Sequence, residues 1–192
     1  MPSPFVFALS SMTTTSPSQN RRAFLLALLL ASTAAPVAAT PRDDLIRTLN
    51  ETRTALASGT LGYAAYLKLE DQLSTAFDAA YYSKTRLPKG TVESVRFILK
   101  QMRTLERAWT LRYTLGIAGG EPVATVGFYD RQHAKVQNAF FDVDRRIRLA
   151  DHAVSAGEDG NGAFTVYAFD RMVRLGFEAI NRSIAISLTR FR

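Results

Sequence analysis

Residues 129–154 read YDRQHAKVQNAFFDVDRRIRLADHAV, and the fold class turns on how they are read. Tyr129, His133, Val136, Phe140, Val143, Ile147, Ala150 and Val154 recur at alternating spacings of four and three. On an α-helix of about 3.6 residues per turn such positions share one stripe, the kind of seam that a helical bundle buries. Lys135, Asp142, Asp144, Arg145, Arg146, Arg148 and Asp151 fall on the remaining faces. The spacing therefore predicts one long amphipathic helix from Tyr129 to Val154.

Working outward, the same period recurs on both sides. Thr40-Pro41 followed by Asp43 and Asp44 is a helix start, with a capping hydroxyl, a proline at the first helical position and acids at the positive end of the dipole. Leu45, Leu49 and Leu56 follow at helical spacing, and Gly59 ends that helix. A second helix is expected from about Gly62 to Lys84 on Tyr66, Leu69, Leu73, Phe77 and Ala80. Pro88 and Gly90 break the chain. A third helix starts at Thr91 on Val95, Ile98, Met102, Leu105 and Trp109, and closes at Gly116. Gly119-Gly120-Glu121-Pro122 is a turn. Val123 to Phe128 has a strand-like composition, but Pro122 before it and the seam after it favour helix. Gly157 to Gly162 is a polar turn with Asn161 as a cap. A last helix then runs to the C-terminus on Val166, Phe169, Val173, Phe177, Ile180, Ile184 and Leu188. No stretch alternates with period two over a convincing length. The expected fold is all-α: an antiparallel up-and-down bundle of four or five helices over residues 40–192.

Residues 1–39 read differently. The first twenty hold no charged side chain, and Arg21-Arg22-Ala23-Phe24-Leu25 then leads into an apolar run. Small residues follow up to Val37-Ala38-Ala39. This is the layout of a cleavable export signal with its cut after Ala39. Arg21, Arg22, Phe24 and Leu25 resemble a twin-arginine translocation address. The apolar stretch of 17 residues from Ala23 to Ala39 ends in Ala, Ser, Thr, Pro and Val. A spanning helix needs about 20 strongly apolar residues, so a membrane anchor is not expected. Read with Met12 as the start, the segment suits the bacterial periplasm, the favoured destination. Read from Met1, its hydroxyl-rich opening suits a plastid transit peptide ahead of a thylakoid-lumen signal, the alternative.

The composition sets limits on chemistry. The chain has 192 residues, a net charge of +7 and no cysteine. Disulfides, thiolate metal sites, a thiol nucleophile and covalent c-type haem attachment are excluded. Without Arg21 and Arg22 the 24 basic residues become 22 against 17 acidic ones, a net of +5. Of those 22, arginine supplies 17, a residue suited to carboxylate and phosphate pairing. No nucleophile elbow, phosphate loop or dinucleotide fingerprint occurs, and no Ser, His and Asp fall at triad spacing.

The two histidines are the candidate ligands. Asp130 and His133 form an Asp-x-x-His, half of the carboxylate–histidine pattern of di-metal bundles, so they are the candidate metal pair, and His133 the candidate cofactor ligand. The plainer reading makes His133 a packed seam residue. His152 follows Asp151 and is expected at the surface. Glu158 to Gly162 lacks the alternating oxygen ligands of a calcium loop. The basic run Arg145 to Arg148 is interleaved with acids and reads as a salt-linked solvated face. No cofactor is assigned.

Tyr81-Tyr82 and Phe140-Phe141 are adjacent aromatic pairs whose members point about 100° apart on a helix. Tyr82 and Phe141 are the candidate partner-facing members. The segment Tyr81-Tyr82-Ser83-Lys84-Thr85-Arg86-Leu87-Pro88-Lys89, with the helix through Leu105-Glu106-Arg107-Ala108, resembles a loop and helix of the helical extrinsic subunits of photosystem II. That resemblance covers about 30 residues and transfers no functional residue. It implies a thylakoid-lumen accessory subunit; the long fourth and fifth helices depart from that family's pattern. The function expected from the residues is an exported, non-catalytic helical protein that binds a protein partner, as an accessory subunit of a membrane complex. The alternative is a cofactor- or metal-binding bundle using His133. Nucleic acid is not expected as a partner, and a membrane only peripherally or during export.

Overall fold

The computed structural model describes residues 39–84, 86–117 and 124–191. Within them lie five α-helices: α1 (Pro41–Ala57), α2 (Tyr63–Tyr81), α3 (Thr91–Thr114), α4 (His133–Phe141) and α5 (Phe169–Thr189). Three strands accompany them: β1 (Val126–Tyr129), β2 (Ala153–Asp159) and β3 (Gly162–Tyr167). Arg21, Arg22, Phe24 and Leu25 lie outside the described residues. Ala39 is the first described residue and is exposed.

The capping expectations at α1 hold. The Thr40 hydroxyl accepts the Asp43 backbone N–H at 3.2 Å, and the Asp43 carboxylate accepts the Thr40 N–H at 3.3 Å. These reciprocal bonds satisfy donors that a helix start leaves open. The Thr40 hydroxyl also donates to the Asp43 carboxylate at 2.6 Å, and this bond first, then that from the Thr40 N–H, holds the Asp43 carboxyl below its ordinary range. Leu45, Leu49 and Leu56 are buried as the period requires.

Helices α1, α2, α3 and α5 form a ring of neighbours. α1 packs on α2 and α5, and α3 packs on the same two. Tyr66 and Trp109 sit at the centre with Phe177, ring centroids 5.7 Å apart in each pairing. The buried Tyr66 hydroxyl would be costly without a partner. It donates to the Met102 carbonyl oxygen at 2.8 Å. α3 and α5 approach closely at Gly176, where a Cβ atom would lie 2.6 Å from a Leu105 methyl. Arg42 donates to the Phe191 carbonyl oxygen at 2.8 Å, and Arg190 to that of Gly90 at 2.6 Å, tying the chain's last turn to the starts of α1 and α3.

The all-α expectation needs correction between α3 and α5. The single helix expected over Tyr129–Val154 does not form. β1, β3 and β2 make an antiparallel three-stranded sheet in that order, with Val126 opposite Tyr167 and Tyr129 opposite Phe164. Val126 to Phe128 is strand, not helix. β2 and β3 form a hairpin whose turn is Gly160-Asn161. Asn161 donates its backbone N–H to the Asp159 carboxylate at 2.7 Å, and Gly162 takes φ +120°, a conformation that glycine adopts without strain. The glycine-rich segment expected to separate two helices is thus a strand turn. Val166 belongs to β3, and the last helix begins at Phe169.

Two side chains explain why the apolar stripe did not make a helix. Past Phe141, the Asp144 carboxylate accepts the Arg146 backbone N–H at 3.0 Å, closing a local turn. Gln137 on α4 then accepts the Leu149 N–H at 2.6 Å and donates to the Ile147 carbonyl oxygen at 3.0 Å. These bonds hold an irregular strand of chain against α4. Val143, Ile147 and Leu149 remain buried there, whereas Ala150 and Val154 do not. One hydrophobic cluster unites all five helices with β1, Tyr167 of β3 and this segment.

Candidate functional site

A concavity lies between the C-terminal half of α2 and the N-terminal two-thirds of α3. Its volume is ≈ 560 Å³. The α3 wall carries Arg96, Lys100, Arg103 and Arg107, again at spacings of four, three and four. This is one face of α3; Val95, Ile98, Met102 and Leu105 on another are buried. The α2 wall supplies Phe77, Asp78 and Tyr81, and Tyr82 stands at its end.

The aromatic end is organised by contacts within the chain. Phe77 stacks on Tyr81 with ring centroids 5.8 Å apart, and the Arg96 guanidinium carbon lies 5.1 Å from the Tyr81 centroid. Tyr82 meets Tyr81 edge-on at 5.0 Å and remains 80% exposed. Cation–π contact of this type fixes the arginine side chain while leaving its charge at the surface.

One cation of the ladder is paired with an acid outside the groove lining. Arg103 donates through Nε to the Glu70 carboxylate at 3.2 Å, a pair in which Glu70 is 14% exposed and Arg103 56%. Burial pushes the Glu70 carboxyl up, the Arg103 hydrogen bond pulls it back, and the neighbouring Glu106 raises it again. Glu70 Oε2 has no hydrogen-bond partner. Three like-charged neighbour pairs run along α3, and each costs a helix a few tenths of a kcal/mol. Asp78 is the single acid in the lining.

Sequence reasoning singled out Tyr82 but not the four cations beside it. The signal was present: the same four-three spacing that marks an apolar stripe also marks a charged one. Phe141, the other candidate partner-facing residue, is 36% exposed at the end of α4 and does not line this groove. Its neighbour Phe140 is fully buried.

The candidate ligand His133 opens α4, and Asp130 lies in the 3₁₀ turn before it, with Asp130 Oδ1 3.4 Å from His133 Nε2. His133 Nε2 also lies 3.2 Å from the Phe128 carbonyl oxygen and 3.0 Å from the Tyr167 hydroxyl. With that nitrogen protonated, the ring donates to the β1 carbonyl and joins α4 to the sheet. Among the described residues no group of three or more His, Asp and Glu side chains gathers around a common point. His152 is buried, contrary to the expected surface position, because Leu149–His152 forms a 3₁₀ turn that leads into β2. Burial lowers its pKa, and Arg171 adds to the effect. Asp144 takes two arginines, Arg146 of the basic run at 2.7 Å and Arg182 of α5 at 2.8 Å.

No described helix is long and apolar enough to cross a membrane. Comparison with family models, curated proteins and solved structures gives no match to this chain.

Proposed function

We propose that this is an exported, non-catalytic binding protein, an accessory subunit of a membrane complex, whose α2–α3 groove receives its protein partner. The observation that carries the reading is the juxtaposition of the exposed Tyr82 with a ladder of four cations in one concavity. Tyrosine and arginine are the residue types in which interface energy concentrates. The Tyr81–Ala108 segment that resembles a loop and helix of lumenal extrinsic subunits supplies most of this groove, which supports the accessory-subunit reading. The Arg21-Arg22-Ala23-Phe24-Leu25 address supports export, to the bacterial periplasm or, as the alternative, the thylakoid lumen.

The test is a photo-crosslinking amino acid at position 82, introduced into the protein in its native host. The expected result is a discrete crosslinked species containing a second protein from the same compartment, lost when the crosslinker is moved to the exposed position 154. A protein that yields no crosslink at position 82 and purifies as a lone monomer overturns the reading.

A further inference from the structure

From the groove's charge and shape we infer that its occupant is an acidic polypeptide segment, gripped along α3 by Arg96, Lys100, Arg103 and Arg107 and closed at one end by Tyr82. This rests on the binding reading above and specifies the chemistry of its partner.

Charge complementarity argues for it first. Cations at four-three-four spacing along one helix face repel one another, and a sequence selected for stability alone would intersperse acids there. Instead α3 keeps its two acids, Glu93 and Glu106, off the groove lining. Eleven residues of helix separate Arg96 from Arg107, about 16 Å along the axis. An extended chain covers that distance in about five residues, whose three alternate side chains can lay carboxylates along the four-cation ladder. Arginine guanidinium groups take carboxylates through two parallel hydrogen bonds, which gives such a segment a defined register.

The same contacts weigh against the other polyanions. Single-stranded nucleic acid is held by successive free aromatic faces, but Tyr81 is already stacked on Phe77 and overlaid by Arg96, which leaves Tyr82 alone among the groove's lining rings to stack a base. A lipid headgroup layer is flat, whereas these cations line a concavity with a second helix as its opposite wall. Arg103 shows the chemistry in miniature: it already holds one carboxylate, that of Glu70.

The inference is tested by titrating the purified full chain with a fluorescent poly-glutamate peptide at low salt. Parallel arms use inorganic phosphate, an oligothymidylate, and vesicles of equal parts phosphatidylserine and phosphatidylcholine. Saturable peptide binding is expected, with affinity falling steeply as salt rises. Arg96→Glu with Lys100→Glu should weaken it by at least about tenfold, since like charges then face the peptide. Arg145→Glu with Arg148→Glu, the same charge change on exposed residues away from the groove, should change it less than about twofold. Circular dichroism of each variant reports whether its helices persist. If the groove variant loses helicity, the milder Arg96→Gln with Lys100→Gln replaces it, with a loss of about threefold expected. Peptide that fails to bind, or binds equally well after charge reversal, overturns the inference. So does tighter binding of vesicles or oligothymidylate through the same residues, or displacement of the peptide by inorganic phosphate where chloride of equal ionic strength leaves it bound. Sequencing the peptide crosslinked at position 82 separates this inference from the reading beneath it. A captured partner whose crosslinked segment lacks acids overturns only the acidic-segment inference, whereas the absence of any partner overturns both.

Discussion

The four-helix ring and the segment that interrupts it, residues 124–168, obey the same burial rule by different means. In α1, α2, α3 and α5, apolar residues recur with the helical period and the chain is helical, so each stripe faces the common core. In the interrupting segment the apolar spacing is just as regular, yet only His133 to Phe141 is α-helix. Val143, Ile147 and Leu149 reach the same core from a chain pinned by Gln137 and turned by Asp144. A periodic pattern therefore specifies which residues are buried more firmly than it specifies the backbone that buries them.

The comparison can be broken most forcefully at the ring. Gly176→Val places two methyl groups where Leu105, itself fully buried, already fills the space between α3 and α5. Overpacking of this kind is expected to cost about 2–3 kcal/mol and to lower the thermal midpoint of the whole domain. An unchanged melt would mean that α3 and α5 do not approach as closely as described. In the interrupting segment, Gln137→Ala strands the Leu149 N–H and the Ile147 carbonyl. A loss of about 1–3 kcal/mol is expected. Hydrogen exchange should localise it: protection falls over residues 142–152 while α1 and α3 keep theirs. Uniform loss across the domain would erase the distinction between the two regions.

Tyr66→Phe sharpens the description of the ring centre. It removes the hydrogen bond to the Met102 carbonyl without changing shape, and about 1 kcal/mol of stability should go with it, read from denaturant unfolding. The smallest effect is one of pH. His152 is held below its ordinary value of 6.5 by burial and by Arg171. The unfolded chain therefore takes up a proton at higher pH than the folded one. Stability from this group is full above pH 6.5 and declines as pH falls from there towards the folded pKa. Melts of the His152→Gln variant should show a shallower decline over that window than the parent. Asp144, whose carboxyl is held down chiefly by Arg146, adds a separate loss at lower pH, below its ordinary 3.8. If parent and His152→Gln profiles superimpose, His152 is not the buried neutral group described.

Much of the helical ring was legible because its signals are local. The Thr40 cap, the proline at Pro41, Gly59 and the leucine spacing of α1 each act within a turn or two of chain. The exposure of Tyr82 was expected on the ground that a helix cannot bury two neighbours together, but Tyr81 is exposed as well and Tyr82 follows the last residue of α2. The cationic half of the groove was readable in the spacing of Arg96, Lys100, Arg103 and Arg107, but its meaning depended on α2 lying opposite. The sheet was hidden by composition. β2 is an exposed edge strand with Ser, Ala, Gly, Glu and Asp in place of alternating apolar residues, so it carries no period-two signal. The buried His152 was hidden by its neighbour Asp151, which reads as surface.

Sequence alone determined the period of the apolar residues, the caps and breaks of α1 to α3, the lack of thiol chemistry, and the arginine-rich charge that any partner must meet. Only the tertiary structure decided that the most regular stripe would be split among a strand, a short helix and a pinned loop. The physical reason is that burial of an apolar side chain depends on where it ends up and is indifferent to the path of the backbone. Which path wins is settled by hydrogen bonds between residues such as Gln137 and Leu149, or Phe128 and Thr165 across the sheet. Those bonds exist only once distant parts of the chain have met.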